Sequence, residues 1–178
     1  VSDVDAAHTI IDGQRLLNFA SNDYLGLAQH PALIEALNRG AARWGVGATA
    51  AHLLGGHREE HSLLEAELAA WTGRESALLF STGYMANLGV MQALLDPRDV
   101  CIQDKLNHAC LIDGARLAGA RMKRYRHCDV DSARRQLVTD PTAASLLATD
   151  GVFSMDGDIA PLAELSALCR EQHAALMV

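Results

Sequence analysis

The alternation of short apolar runs with segments of helical periodicity restricts the fold of this chain more than any other feature of its sequence. Five short runs are candidate strands, at residues 77–80, 100–103, 122–125, 145–148 and 174–178. Segments with a helical spacing of apolar residues lie between them, at 85–95, 111–117, 131–137 and 161–173. Because parallel strands need a crossover connection, this order predicts an α/β fold with a mainly parallel sheet flanked by helices.

The first part of the sequence is less regular. Residues 15–21 alternate like a short strand and lead into a turn that contains Asn22. Pro31 then opens a helix, and a second helix runs through "EEHSLLEAELAAWTG" and ends at Gly73. We divide the chain into an N-terminal segment, residues 1–30, and a domain, residues 31–178.

Composition and charge exclude several classes of protein. The formal net charge of −7 does not fit a general nucleic-acid binder, which needs a basic face. No apolar run approaches the ~18 residues of a membrane helix, and the start "VSDVDAAHTIIDG" lacks the features of a signal peptide. The four cysteines form no Cys-x-x-Cys pair, which is typical of reduced thiols. We expect a cytoplasmic protein without nucleic-acid or membrane partners, and we expect residues upstream because the sequence does not begin with Met.

Two short motifs fit known signatures only loosely. "GVGATA" at 45–50 matches a dinucleotide fingerprint, but a helix-like segment precedes it, so we favour a flexible loop near a ligand. "HREEH" at 57–61 matches an inverted zinc-protease signature. No Glu between Glu75 and Glu164 supplies the third ligand, so we favour solvated residues in the first turn of a helix and expect no metal.

Polar segments follow three predicted strands, at 81–84, 104–108 and 150–154. Ligands of parallel sheets bind beyond the carboxyl ends of the strands. In "FSTGYMANLG" the hydroxyls and backbone N–H groups can bind a phosphate, although a plain strand–helix turn is the alternative. His108 is either a packed residue or a ligand-binding ring, and Ser154 adds a hydroxyl. Together the three segments suit a flat phosphorylated cofactor.

Five stretches carry a family resemblance: "SNDYLGL", "LLFSTGYMANLG", "LNHACLIDGARLAGA", "TDGVFSMDGDIAPL" and "ALMV". They resemble the α-oxoamine synthases, which are pyridoxal 5′-phosphate (PLP) acyltransferases of the aspartate-aminotransferase fold type. The resemblance implies that residues 31–178 are part of the PLP-binding large domain, ending before the family's Schiff-base lysine. Lys105 and Lys123 do not match that lysine, although Lys105 follows a strand end beside His108. We therefore expect this stretch alone to be inactive.

The resemblance also implies roles for individual residues. Gly83 and Tyr84 match the turn that holds the cofactor phosphate. His108 matches the catalytic histidine that stacks on the cofactor ring and faces the substrate. Ser154 matches the serine bonded to the phenolic oxygen of the ring, and Asn22 matches the asparagine near the carboxylate of the amino-acid substrate.

The implied reaction condenses L-alanine with a pimeloyl thioester, carried by coenzyme A or an acyl carrier protein, and releases CO2 and the thiol. Its product is a biotin precursor, and the enzyme is expected to be a homodimer. A sister synthase that uses glycine is the near alternative. A non-catalytic module that binds a phosphate group or a partner subunit is the alternative from another class. Cys110 departs from the family, which commonly has Ser two residues after the stacking histidine.

Overall fold

A computed structural model of the chain describes residues 2–5, 7–137 and 143–178. The chain divides into two compact units, Val1–Leu64 and Glu65–Val178. The predicted boundary at residue 30 concerns the functional domain and stays a prediction. Across the described ranges, no helix combines the length and the apolar character that crossing a bilayer requires.

The first unit begins with a three-stranded antiparallel sheet in the order β1-β2-β3. Its strands are β1 (Ser2–Asp5), β2 (His8–Ile11) and β3 (Gln14–Leu17). Asp12 and Gly13, both with positive φ (50° and 78°), form the two-residue turn between β2 and β3. The predicted strand at 15–21 is therefore wrong at its end, because the chain leaves the ladder after Leu17.

Three helices follow along the chain: α1 (Pro31–Trp44), a short 3-10 helix (His52–Leu54) and α2 (Glu59–Thr72). The "GVGATA" loop comes directly after α1 rather than after a strand, and Gly45 has φ 76°. A dinucleotide fingerprint at this point is therefore not supported. Glu59 and Glu60 occupy the first turn of α2, as predicted for the "HREEH" motif, and His57 precedes the helix.

The second unit contains four parallel strands in the order β5-β4-β6-β7. The strands are β4 (Val100–Asp104), β5 (Arg121–Tyr125), β6 (Ser145–Ala148) and β7 (Ala175–Met177). The helices are α3 (Gly83–Leu94), α4 (Ala109–Leu117), α5 (Val130–Gln136) and α6 (Leu162–Glu171). The predicted mainly parallel sheet flanked by helices is confirmed.

Both faces of the sheet are covered, so the second unit has three layers. Ile102 of β4 belongs to a core cluster with Ala133 of α5 and Leu165 of α6. Cys101, the preceding residue of β4, belongs to a second cluster with residues of α3 and α4. Alternate residues of a strand point to opposite faces, which explains why every residue of β4 is buried.

The predicted strand at 77–80 is wrong. These residues have no strand partner within the described part of the chain. The backbone N–H of Leu79 donates instead to the Glu65 carboxylate, with 2.9 Å between N and Oε1. The segment and α3 line an apolar cleft of about 440 Å³, whose lining residues are Leu78, Phe80, Ala86, Gly89, Val90 and Ala93.

Candidate active site at the strand ends

Asn107 joins the carboxyl ends of β4 and β6. Its side chain is buried, and Nδ2 donates to the carbonyl oxygen of Ala148 at 2.8 Å. Its Oδ1 accepts the backbone N–H of Asp150 at 3.2 Å. The Asp150 carboxylate in turn accepts the backbone N–H of His108, with 2.7 Å between N and Oδ2. The predicted segments 104–108 and 150–154 are thus held together by hydrogen bonds.

His108 is the N-cap of α4 and presents an exposed ring. Nδ1 accepts the backbone N–H of Cys110 at 3.2 Å, and the Cys110 Sγ lies 2.8 Å from the same nitrogen. Because Nδ1 is the acceptor, the proton of the neutral ring lies on Nε2. The alternative of a histidine packed into the core is not supported, since the residue is exposed.

The first turn of α3 supplies backbone donors. Thr82 is the N-cap, and its Oγ1 accepts the N–H of Met85 at 3.1 Å. The N–H groups of Gly83 and Tyr84 have no acceptor among the described residues, as expected at a helix N-terminus. A Cβ built on Gly83 would meet nothing within 4 Å, so the approach to these donors is open.

Two side-chain contacts fix α3 to α4. The Tyr84 hydroxyl donates to Asp113 Oδ2 at 3.0 Å, and this hydrogen bond raises the pKa of Tyr84 above its ordinary value. Asn87 Nδ2 lies 2.9 Å from the sulfur of Cys110, which contacts His108. The third predicted segment, 81–84, is therefore connected to the helix that His108 caps.

Ser154 lies on a loop between β6 and α6. Val152 and Ile159 form an isolated antiparallel bridge across this loop, and Phe153 between them is buried. Ser154 itself is exposed, so its hydroxyl is open to a ligand. Its predicted contact with a phenolic oxygen stays a prediction.

Asn22 lies in the first compact unit, where its Oδ1 accepts the Tyr24 hydroxyl at 3.4 Å. Its predicted contact with a substrate carboxylate stays a prediction. Both Asn22 and Tyr24 are exposed, so the amide has capacity for a further partner.

Sequence reasoning missed the residues that position the site. Asn107 and Asp113 act through neighbours, and nothing in the sequence pattern distinguishes them from surface polar residues. A further group, Asp104 with His127 and Cys128, brings one ligand-type atom from each residue to within 4.8 Å of the others. Both oxygens of Asp104 and both nitrogens of His127 already have hydrogen-bonding partners, so we assign this group to hydrogen bonding.

Comparisons with known proteins identify the family of this chain. The family model for aminotransferase class I and II matches residues 14–178. The 8-amino-7-oxononanoate synthase of Xanthomonas euvesicatoria pv. vesicatoria (strain 85-10) is 56% identical over 175 residues, which are 98% of this chain and 44% of that protein. This chain thus spans less than half the length of that relative.

Solved structures share the fold. A serine palmitoyltransferase from Sphingomonas wittichii matches with a TM-score of 0.93 and 33% identity over 98% of this chain and 44% of that one. A high-resolution structure of SPT with PLP matches with a TM-score of 0.92 and 31% identity over the same shares of the two chains. The chain therefore belongs to the aminotransferase class I and II family, and its resemblance to the α-oxoamine synthases is confirmed.

Proposed function

We propose that this chain is part of the PLP-binding domain of an acyltransferase that condenses L-alanine with a pimeloyl thioester to give 8-amino-7-oxononanoate for biotin synthesis. The observation that carries the proposal is the hydrogen-bonded junction of strand ends, in which Asp150 and Asn107 place His108 beside the start of α4. The identity of 56% to a protein named for this activity supports the choice of branch.

The donors of the site fit PLP. The free N–H groups of Gly83 and Tyr84 lie at the positive end of α3, where a phosphate dianion is stabilised. The exposed ring of His108 offers a flat face to an aromatic ligand, and the exposed hydroxyl of Ser154 can donate to a ring oxygen. When bound, the cofactor supplies an electron sink for negative charge that develops at the Cα of the amino acid.

The protein's own groups orient the reactants. Gly83 and Tyr84 hold the phosphate. The side chain of His108 is fixed by the hydrogen bond that the backbone N–H of Cys110 donates to its Nδ1. Nε2–H is therefore the group that donates to a substrate oxygen or transfers a proton. From the family resemblance alone, we propose that the Asn22 amide binds the carboxylate of L-alanine. A side chain that is already fixed, as His108 is, loses no further conformational entropy when the reaction takes place.

A substrate panel tests the proposal on the full-length protein. L-Alanine, glycine and L-serine are each paired with pimeloyl-, acetyl-, succinyl- and palmitoyl-CoA, and thiol release is followed with a chromogenic reagent. We expect L-alanine with pimeloyl-CoA to give the highest kcat/KM. Turnover only with glycine would favour the glycine-using sister synthases, namely 2-amino-3-oxobutyrate CoA ligase or 5-aminolevulinate synthase. PLP binding without turnover on any pair would favour a non-catalytic module.

A second candidate is a synthase that uses L-serine with a long acyl chain. The observation in its favour is the TM-score of 0.93 to a serine palmitoyltransferase. The lower identity of 33% to that structure, against 56% to the 8-amino-7-oxononanoate synthase, places this candidate second. The serine and palmitoyl-CoA arms of the panel separate the two.

We also propose that the full-length protein is a homodimer, as the family resemblance implies, and that it is cytoplasmic, as the cysteine pattern indicates. Sedimentation velocity tests the oligomeric state, with a single dimeric species as the expected result. A monodisperse monomer with full activity would contradict this proposal.

A further inference from the structure

His127 connects the end of the sheet to the loop that carries Ser154. It follows β5, and its Nδ1 lies 2.9 Å from Oδ1 of Asp104, the last residue of β4. Its Nε2 lies 2.7 Å from Oδ2 of Asp158, on the loop between β6 and α6. The two carboxylates therefore bind opposite nitrogens of one imidazole ring.

The Asp104 end of this bridge is fixed. Asp104 is fully buried, with 0% exposure. Its carboxylate also accepts the backbone N–H groups of Leu106 and Cys128, each at 2.8 Å. Together with the contact to His127, these hydrogen bonds fix the orientation of the buried carboxylate.

The Asp158 end belongs to the loop. Its side chain is 47% exposed, and its backbone oxygen accepts the N–H of Phe153 at 2.9 Å. The buried ring of Phe153 also meets the His127 ring edge-on, with 4.4 Å between centroids. The residue after Phe153 is Ser154, so the contacts of His127 set the start of the turn on which that hydroxyl lies.

Both ring nitrogens donate to a carboxylate only when the imidazole carries two protons. We propose that His127 is a positioning residue that, as an imidazolium bridging Asp104 and Asp158, holds the 151–160 loop and its Ser154 hydroxyl at the carboxyl end of the sheet. The assignment of a ligand to Ser154 rests on the proposed function, whereas the bridge itself does not.

The groups that face the ring agree with this protonation state. They are Asp104 from β4, Phe153 and Asp158 from the loop, and the Cys128 thiol, whose Sγ lies 3.6 Å from Nε2. The hydrogen bonds to Asp104 and then to Asp158 raise the pKa of His127 above its ordinary value. Burial, followed by the two carboxylates, raises the pKa of Cys128, so the thiol stays neutral near pH 7.

The bridge stabilises the loop at low pH and weakens at high pH. Because the folded pKa is raised, the stabilisation by His127 is fully present below the unfolded value of about 6.5 and is lost as pH rises through the folded pKa. On deprotonation the ring keeps one donor. The buried Asp104 retains it, and the half-exposed Asp158 loses its partner, so the loop is released at high pH.

Hydrogen exchange and NMR on the full-length protein test the proposal. Asp158→Ala removes the loop end of the bridge. Asp156→Ala is the matched control, because Asp156 is an exposed carboxylate of the same loop whose side chain has no partner among the residues that the structure describes. The probes are the amides of Phe153, Gly157 and Ala160, which donate within the loop. At pH 6 we expect about tenfold faster exchange of these amides in Asp158→Ala and no change in the control.

The wild-type His127 ring should titrate above pH 6.5 by NMR, and Asp158→Asn, which keeps an acceptor without the charge, should lower this value and partly restore loop protection. PLP affinity, measured by fluorescence quenching, should fall about threefold to tenfold in Asp158→Ala. Unchanged loop exchange in Asp158→Ala, or titration at or below pH 6.5, would overturn the proposal. If the wild type binds no PLP, the proposed function fails while exchange and titration still decide the role of His127.

Discussion

His108 and Asp150, which lie 42 residues apart in the sequence, are joined by a hydrogen bond of 2.7 Å from the backbone N–H of the first to the carboxylate of the second. This bond ties the start of α4 to the end of β6. The position of the His108 ring therefore depends on the sheet as well as on its own helix. A ring supported in this way is suited to holding a ligand in a fixed orientation.

The ring of His108 can be separated from its capping role by substitution. His108→Asn keeps a side-chain acceptor at the N-cap of α4 but removes the aromatic ring. We expect its thermal unfolding to match the wild type while PLP binds about tenfold more weakly, as expected for the loss of one stacked ring. His108→Ala should lose both properties, with a cost of about 1 kcal/mol in unfolding free energy. Wild-type PLP affinity and turnover in both variants would show that the ring does not contact the cofactor.

Ser154→Ala should have a milder effect than the histidine variants. It removes one hydroxyl, whose hydrogen bond is worth about 1 kcal/mol, or about fivefold in affinity. Because Ser154 is exposed, we expect no change in the unfolding free energy. A loss of stability without a loss of PLP affinity would contradict the predicted role of this hydroxyl.

Gly114 and Gly40 should respond in opposite ways to the same substitution. A Cβ on Gly114 would lie 2.8 Å from Cγ of Met91, because α3 and α4 approach closely there, whereas a Cβ on Gly40 of α1 meets nothing within 4 Å. We expect Gly114→Ala to lower the unfolding free energy by about 1–3 kcal/mol through overpacking. Gly40→Ala should raise it by up to about 1 kcal/mol through helix propensity. Urea denaturation measures both, and a stabilised Gly114→Ala would contradict the close approach of the helices.

Because of its hydrogen bond to Asp113, we expect the Tyr84 hydroxyl to titrate at a higher pH than an ordinary tyrosine. The hydrogen bond to Asp113 raises the pKa of Tyr84, so the contact stabilises the fold below about pH 10 and is lost as pH rises through the folded value. NMR with ring-labelled tyrosine, assigned through Tyr84→Phe, should show this residue titrating above pH 10. Asp113→Asn should lower that value. Asp131→Asn, a change of the same kind at an exposed position on α5, should leave it unchanged.

The sheet could be predicted because its signal is local. The runs at 100–103 and 145–148 are largely apolar, and the run at 122–125 has apolar residues at its two ends. All three lie between helical segments, and each is a strand in the structure with ends that agree within one residue. The run at 77–80 is entirely apolar but has no strand partner among the described residues. Whether a run forms a strand depends on a partner strand beside it, and the composition of the run does not reveal that partner. The missed β2–β3 turn had a signal, since Asp12-Gly13 lies between two short strands.

The candidate site was predictable only in part, for a related reason. Short sequence motifs that resemble a known family contain Gly83, Tyr84, His108 and Ser154. Asn107 and His127 contact partners that are distant in sequence, Ala148 at 41 residues and Asp158 at 31 residues. Such contacts follow from strand order, which the sequence pattern does not contain.

Decarboxylation coupled to thiol release tests the proposed condensation most directly. The full-length protein is incubated with PLP, pimeloyl-CoA and L-alanine labelled with ¹³C at the carboxyl carbon, and labelled CO2, free thiol and the amino-ketone product are measured together. We expect the three to appear in equal amounts, and we expect His108→Asn to slow all three to the same extent. Thiol release without labelled CO2, or no release of either from any acyl thioester in the panel, would contradict the proposed condensation.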